Sequence, residues 1–68
     1  MDGATLAQRR KALGLSTVQL AAEVGISHVT VWRLEKTGQT PTTVVDRALE
    51  ATLARLERDA VESREHAG

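Results

Sequence analysis

The apolar residues in the first half of the chain fall into short runs with helical spacing, each bounded by a capping or turn residue. Thr5 and Ser16 are each followed three residues later by Gln. This is the capping-box pattern, in which the hydroxyl accepts from a first-turn backbone amide and the Gln reaches back to the N-cap. The two boxes predict helices over about 6–13 and 17–24. Gly25 then supplies the left-handed conformation that a tight turn requires.

A third helix is predicted to begin after Ser27, a good N-cap, and to reach about Lys36. Val31 and Leu34 share one face of this helix. The other face is polar apart from one valine and the single tryptophan. Two helices of this kind, joined by a short turn, predict a helix-turn-helix.

The remaining chain predicts one long helix. Thr40 and Pro41 suit the N-cap and first helical positions, and no Gly or Pro follows until Gly68. A helix from there to about residue 65 is roughly 35–38 Å long, more than a three-helix domain of this size can cover. Its apolar residues repeat every three or four positions, which is typical of a helix seam. We expect that seam to join two copies of the chain through Val45, Leu49, Leu53, Leu56 and Ala60.

Length and composition narrow the class of protein. The 68 residues leave room for one domain. Within it we expect a helix-turn-helix core over 1–45 and a dimerisation element over 46–68. The chain has no cysteine, and we expect the pair His28 and His66 not to form a metal site, so we expect no metal and no cofactor. The sequence has no nucleophile motif and no phosphate-binding glycine loop, so we expect a protein that is not an enzyme. It has no long apolar run, so we expect a cytoplasmic protein.

The net charge of zero hides an asymmetry along the chain. Up to Pro41 there are five Lys or Arg and three Asp or Glu, a balance of +2. From Thr42 onward there are four basic and six acidic residues, a balance of −2. A modestly basic first part favours contact with a polyanion, while the second part is typical of a solvated helix with one buried face.

The run LSTVQLAAEVGIS from Leu15 to Ser27, continued by TVWRLE from Thr30 to Glu35, resembles the phage Cro/CI repressor family, also called Xre-type. The resemblance extends upstream to Arg10 and downstream to Pro41, roughly the first 45 residues. It implies an all-α fold, a small helix-turn-helix bundle of the phage repressor type, whose third helix enters the major groove of DNA. That family usually folds a fourth and a fifth helix over the core, whereas the pattern here predicts one unbroken helix.

By position, the resemblance makes His28, Val29, Trp32 and Arg33 the base-reading face. Arg33 can donate to guanine O6 and N7, His28 can bond to a purine edge, and the two apolar side chains can pack on thymine methyls or on sugars. Two alternatives stay open at this point. Trp32 can instead belong to the core, and His28 can be an ordinary solvated residue of a first helical turn.

Further roles follow from the same resemblance. Phosphate contacts are expected near the start of the second helix, around the third helix and along the loop after it, from Thr17, Gln19, Ser27, Lys36, Gln39, Thr40 and Thr43. Arg10 and Glu35 match a salt bridge that ties the first helix to the end of the third. Ala21 and Gly25 are expected to be structural, because the helix-turn-helix needs a small residue at the crossing and a turn after it.

These observations predict a transcriptional regulator that binds double-stranded DNA. The favoured form is a dimeric, Cro-like or immunity-type repressor that occupies a palindromic operator and occludes polymerase, in a bacterial or phage-infected cell. Its expected partners are operator DNA and a second copy, with no small-molecule ligand and no membrane. Two alternatives are an antitoxin or adaptor whose last helix binds another protein, and an excisionase-like architectural DNA-binding protein.

Overall fold

The computed structural model describes residues 1–38 and 42–67, and for 65–67 it describes the backbone alone. Four helices follow one another, and the described ranges contain no strand. They are α1 (Gly3–Ala12), α2 (Thr17–Val24), α3 (His28–Thr37) and α4 (Thr43–Ala67). The all-α architecture predicted from the periodicity is therefore confirmed.

The start of α1 differs from the prediction. Asp2, not Thr5, is the N-cap, and its carboxylate accepts a hydrogen bond of 2.8 Å from the backbone amide of Thr5. Aspartate is a stronger N-cap than threonine, so the helix begins three residues earlier than the capping box suggested. The capping box predicted at Thr5 is wrong.

The boundaries of the helix-turn-helix agree with the sequence pattern. Both hydrogen bonds of the Ser16 capping box are present, at 3.1 Å from the Gln19 amide to the Ser16 hydroxyl and 2.8 Å from the Ser16 amide to the Gln19 side chain. Gly25 ends α2 in the left-handed region with φ of 87°. Ser27 then caps α3 by accepting from the Val29 amide at 3.2 Å.

Helix α4 is unbroken over 25 residues, as the lack of internal Gly and Pro predicted. It begins at Thr43, and the hydroxyl of the preceding Thr42 accepts from the Val45 amide at 3.4 Å. The predicted cap at Thr40 and Pro41 lies outside the described residues.

The packing of the core contradicts the predicted dimer seam. Leu49 and Leu53 are 0% exposed within a single chain, and Val45 and Leu56 pack against the same core. These side chains cover the apolar faces of the shorter helices, which are too small to bury one another. Leu49 and Leu53 are therefore not available as a contact surface for a second copy. The buried core consists of Leu6, Leu20, Ala21, Val31, Leu34, Leu49 and Leu53.

Ion pairs hold α4 against the helices that it covers. Arg9 of α1 donates to Glu50 at 2.9 Å and to Glu57 at 2.7 and 2.9 Å. Arg55 donates to Glu23 of α2 at 3.0 Å. Because Glu50 and Arg55 lie on opposite flanks of the buried stripe of α4, these contacts fix the rotation of the helix about its own axis.

Candidate nucleic-acid interface

The packing of α2 on α3 determines how the outer face of α3 is presented. Leu20, Ala21 and Val31 are almost completely buried at this contact. Ala21 is 2% exposed, which agrees with the requirement for a small residue where the helices meet. With Gly25 in the left-handed region, the turn brings α3 across α2 and leaves its polar face in solvent.

The ion pair implied for Arg10 and Glu35 is present. The guanidinium donates to both carboxylate oxygens, at 2.7 and 2.9 Å, and also to the backbone carbonyl of Leu15 at 2.8 Å. Only 13% and 12% of the two side chains are exposed. The hydrogen bond to Glu35 raises the pKa of Arg10 above its ordinary value. One arginine thus connects α1, the start of α2 and the end of α3.

The four residues expected to read bases lie together on the outer face of α3. His28, Val29, Trp32 and Arg33 are all exposed. Trp32 has 52% of its surface in solvent, so the alternative that places it in the core is wrong. Val29 is 43% exposed beside it. The core-facing residues Val31 and Leu34 lie on the opposite side of the same helix.

Lys36 lies close to the indole. Its ammonium nitrogen is 5.9 Å from the centroid of the Trp32 ring, a separation typical of a cation–π contact. One turn of α3 therefore carries a cation beside an aromatic ring.

The residues expected to contact phosphate are distributed unevenly. Thr43 is exposed at the start of α4 and Thr17 is half-buried at the start of α2. Gln19 and Ser27 already use a side-chain oxygen in capping hydrogen bonds. Gln39 and Thr40 lie outside the described residues.

Because most acidic side chains are paired and several basic ones are not, the surface carries more free positive charge than the net charge suggests. Nearly every described acidic side chain already forms an ion pair or caps a helix, namely Asp2, Glu23, Glu35, Asp46, Glu50, Glu57 and Asp59. Among the described residues, several cations have no ion pair, namely Lys11, Arg33, Lys36, Arg47, Arg58 and Arg64. Two of these, Arg33 and Lys36, belong to the outer face of α3.

Apart from the Arg10–Glu35 ion pair, the contacts between α1 and the rest of the fold were not predicted from the sequence. Arg9 stood in a run of three basic residues with no sign of its acidic partners, which lie more than 40 positions away. The hydrogen bond from Arg9 holds the pKa of Glu57 below its ordinary value of 4.5. Gly3 was also missed: a Cβ there would collide with the backbone carbonyl of Leu34, so α1 approaches the end of α3 closely. The only feature of the sequence that could have indicated this role of Gly3 was its position beside the Asp2 cap.

No helix in the described ranges is long and apolar enough to cross a membrane. The same ranges contain no group of three or more His, Cys, Asp or Glu residues that could hold a metal ion.

The fold and the packing of α2 on α3 define a helix-turn-helix protein. In agreement, the family model described as "Helix-turn-helix domain" matches residues 3–66, nearly the whole chain, and the protein belongs to that family. No curated protein and no solved structure matches it. The match includes all four helices, so α4 is part of the family's domain as well as of the core.

Proposed function

We propose that this protein is a sequence-specific, double-stranded DNA-binding transcriptional regulator of the Cro-like or immunity-repressor kind. It acts by binding, without catalysis and without a cofactor. The observation that carries the proposal is the outer face of α3. That face exposes His28, Val29, Trp32 and Arg33 and has unpaired cations, while the one acidic residue of α3, Glu35, lies off this face and is paired with Arg10 of α1.

The proposed mechanism follows from the geometry of α3. In a helix-turn-helix the second helix lies in the major groove, where its first turns reach the base edges. His28 and Val29 occupy the first turn of α3, and Trp32 and Arg33 the next. Arg33 donates to guanine O6 and N7, and Lys36 reaches a phosphate. A protein held in this way occludes polymerase from the DNA that it covers.

We also propose that the regulator is a homodimer on a palindromic operator, with a different contact surface from the buried leucines. The side of α4 opposite the core carries an exposed stripe that reads Val, Arg, Ala, Ala, Arg, Val. Its spacing of three and four residues is the same in both directions, so an antiparallel second copy meets an identical stripe. The stripe consists of Val44, Arg47, Ala51, Ala54, Arg58 and Val61.

Charged residues also lie along this stripe. In the antiparallel register that places Val44 over Val61, Arg47 faces Arg58 of the other chain, and Glu62, one helical turn beyond Arg58, is the acidic residue within reach to offset this like-charge contact. Neither Arg47 nor Glu62 has an ion pair within the described chain. Val44 is 79% exposed and Val61 is 51% exposed, and both gain by burial in the dimer. Sedimentation equilibrium should give a dimer for the native chain and a monomer for Ala54→Glu, and a native monomer would refute this dimer.

DNA binding itself is tested by selecting duplexes from a random pool at about 150 mM salt, where specific and non-specific binding separate clearly. The proposal predicts an enriched sequence, arranged as an inverted repeat whose half-sites lie ~34 Å apart. Arg33→Ala should weaken binding to the enriched duplex and relax preference at one base pair, with a loss of ~1–3 kcal/mol. Lys11→Ala is the matched control, since it removes an exposed cation from α1. Recovery of no enriched sequence would refute the proposed function.

A further inference from the structure

The exposed stripe of α4 carries two positive charges that its own chain does not balance. Arg47 and Arg58 are exposed, and neither forms an ion pair within the part of the chain that the structure describes. They share one side of α4 and lie about three helical turns apart, roughly 16 Å along the axis. Between them the stripe has only Ala51 and Ala54. The two guanidinium groups therefore flank a surface of small side chains.

A second copy of the chain brings these arginines together in pairs. In the antiparallel register of the proposed dimer, Ala51 lies over Ala54 of the other chain, and small side chains at this crossing let the two helices approach closely. Arg47 then faces Arg58 of the other chain, and the two-fold axis repeats this contact at the opposite end. Glu62 brings one negative charge to each arginine pair. One positive charge at each end of the contact is left without a counterpart.

The other acidic side chains that the structure describes on α4 are already engaged elsewhere. Glu50 and Glu57 accept hydrogen bonds from Arg9, Asp59 lies 3.9 Å from Arg55, and Asp46 forms an ion pair with the amino group of Met1. The missing negative charge must therefore come from outside the described chain. Guanidinium groups present planar sets of N–H donors that match the oxygens of phosphate-like anions.

We propose that the α4 dimer binds an oxyanion of the phosphate or sulfate class at each end, between Arg47 of one copy and Arg58 of the other. The site depends on the dimer proposed above and adds a ligand class to it. The monomer offers only one guanidinium at each position, so the anion binds the dimer in preference. By mass action such a ligand strengthens association, and the logarithm of the association constant rises with the logarithm of anion concentration with a slope approaching two.

The test is sedimentation equilibrium of the full chain, with inorganic sulfate as the probe. Sulfate replaces chloride up to about 40 mM while the ionic strength stays at about 150 mM, so that general screening is constant. Once free sulfate reaches three times the dissociation constant of the site, association should tighten about fourfold for each site and about 16-fold for two. Sulfate also strengthens apolar burial in general, so a variant that keeps the apolar stripe is needed for comparison.

Arg58→Gln provides that comparison, because it removes one arginine from each pair and leaves Val44, Val61 and both alanines in place. It should dimerise in chloride at least as tightly as the native chain and lose most of the response to sulfate, and Arg47→Gln should behave in the same way. Lys11→Gln removes an exposed cation of α1 and should keep the native response. All three side chains are exposed, so the thermal midpoints should stay unchanged.

The possible results separate the anion site from the dimer. Equal responses to sulfate in the native chain and in Arg58→Gln would overturn the site and leave the dimer intact. Loss of dimerisation in chloride in both arginine variants would also overturn it, because the arginines would then stabilise the contact without an anion. A native chain that is monomeric with and without sulfate would refute the proposed dimer together with the site.

Discussion

Replacing Glu35 with alanine should destabilise the fold far more than the loss of an ordinary surface salt bridge. Glu35 accepts two hydrogen bonds from Arg10, at 2.7 and 2.9 Å, and both side chains are more than 85% buried. Removing the carboxylate leaves the Arg10 guanidinium in place with only the Leu15 carbonyl as a partner. An uncompensated charge of this kind typically costs ~3–5 kcal/mol.

This loss is large compared with the stability of the chain. A domain of this length has a free energy of unfolding of roughly 3–10 kcal/mol. A loss of about 3 kcal/mol corresponds to a fall of ~12–24 °C in the thermal midpoint, because 1 kcal/mol shifts a small domain by ~4–8 °C. Circular dichroism at 222 nm during thermal and urea unfolding measures both quantities.

The matched control is Glu23→Ala. Glu23 forms an ion pair with Arg55 at 3.0 Å, but about half of each side chain is exposed. Exposed pairs contribute at most ~1 kcal/mol, because solvent screens them and ordering two long side chains costs entropy. If Glu35→Ala and Glu23→Ala lowered stability equally, burial would not govern the contribution of the Arg10–Glu35 pair and the reasoning would fail.

Three further predictions concern the helix contacts. Gly3→Ala should lower the free energy of unfolding by ~1–3 kcal/mol, because the added Cβ clashes with the backbone of α3. Helix propensity alone predicts the opposite, a gain of up to ~1 kcal/mol. The sign of the change in urea unfolding therefore distinguishes the two. Leu53→Ala should cost ~2–5 kcal/mol. Val61→Ala, on the exposed side of α4, should cost less than ~1 kcal/mol when both are compared in the Ala54→Glu background, where the proposed dimer is absent. Equal losses would contradict the assigned rotation of α4. The pKa of Glu57 is lowered in the folded chain, so its contribution is complete above the ordinary value of 4.5 and is lost as the pH falls through the lower folded value. Urea titrations across that range should show a weaker acid dependence for Glu57→Gln, and an unchanged profile would contradict the pairing with α1.

The parts of the fold that were best predicted from the sequence are those that depend on residues close together along the chain. The Ser16 capping box, Gly25 and the Ser27 cap each depend on residues within three positions, and the boundaries of α2 and α3 agree with them. The Thr5 box failed because a stronger cap, Asp2, lay just upstream and two candidate caps competed for one helix.

Long-range contacts could not be predicted in the same way. The repeat of Leu49, Leu53 and Leu56 correctly indicated one apolar face on α4, but periodicity does not say whether that face covers its own chain or another. In the structure, this apolar face of α4 packs in the core of its own chain. The base-reading candidates on α3 lie together because they share one helix face, whereas the ion pairs of Arg9 with Glu50 and Glu57 depend on tertiary packing.

The most direct test of the central claim, that DNA binds to the outer face of α3, uses the single tryptophan as a probe. Trp32 is the only aromatic residue and is half-exposed, so all tryptophan emission comes from that face. The measurement is quenching of this emission by acrylamide, a neutral quencher that DNA does not repel, without duplex and with a saturating amount of the enriched duplex. Bound DNA should protect Trp32 and lower the quenching constant. An unchanged quenching constant at saturation would place the DNA elsewhere on the protein and contradict the account.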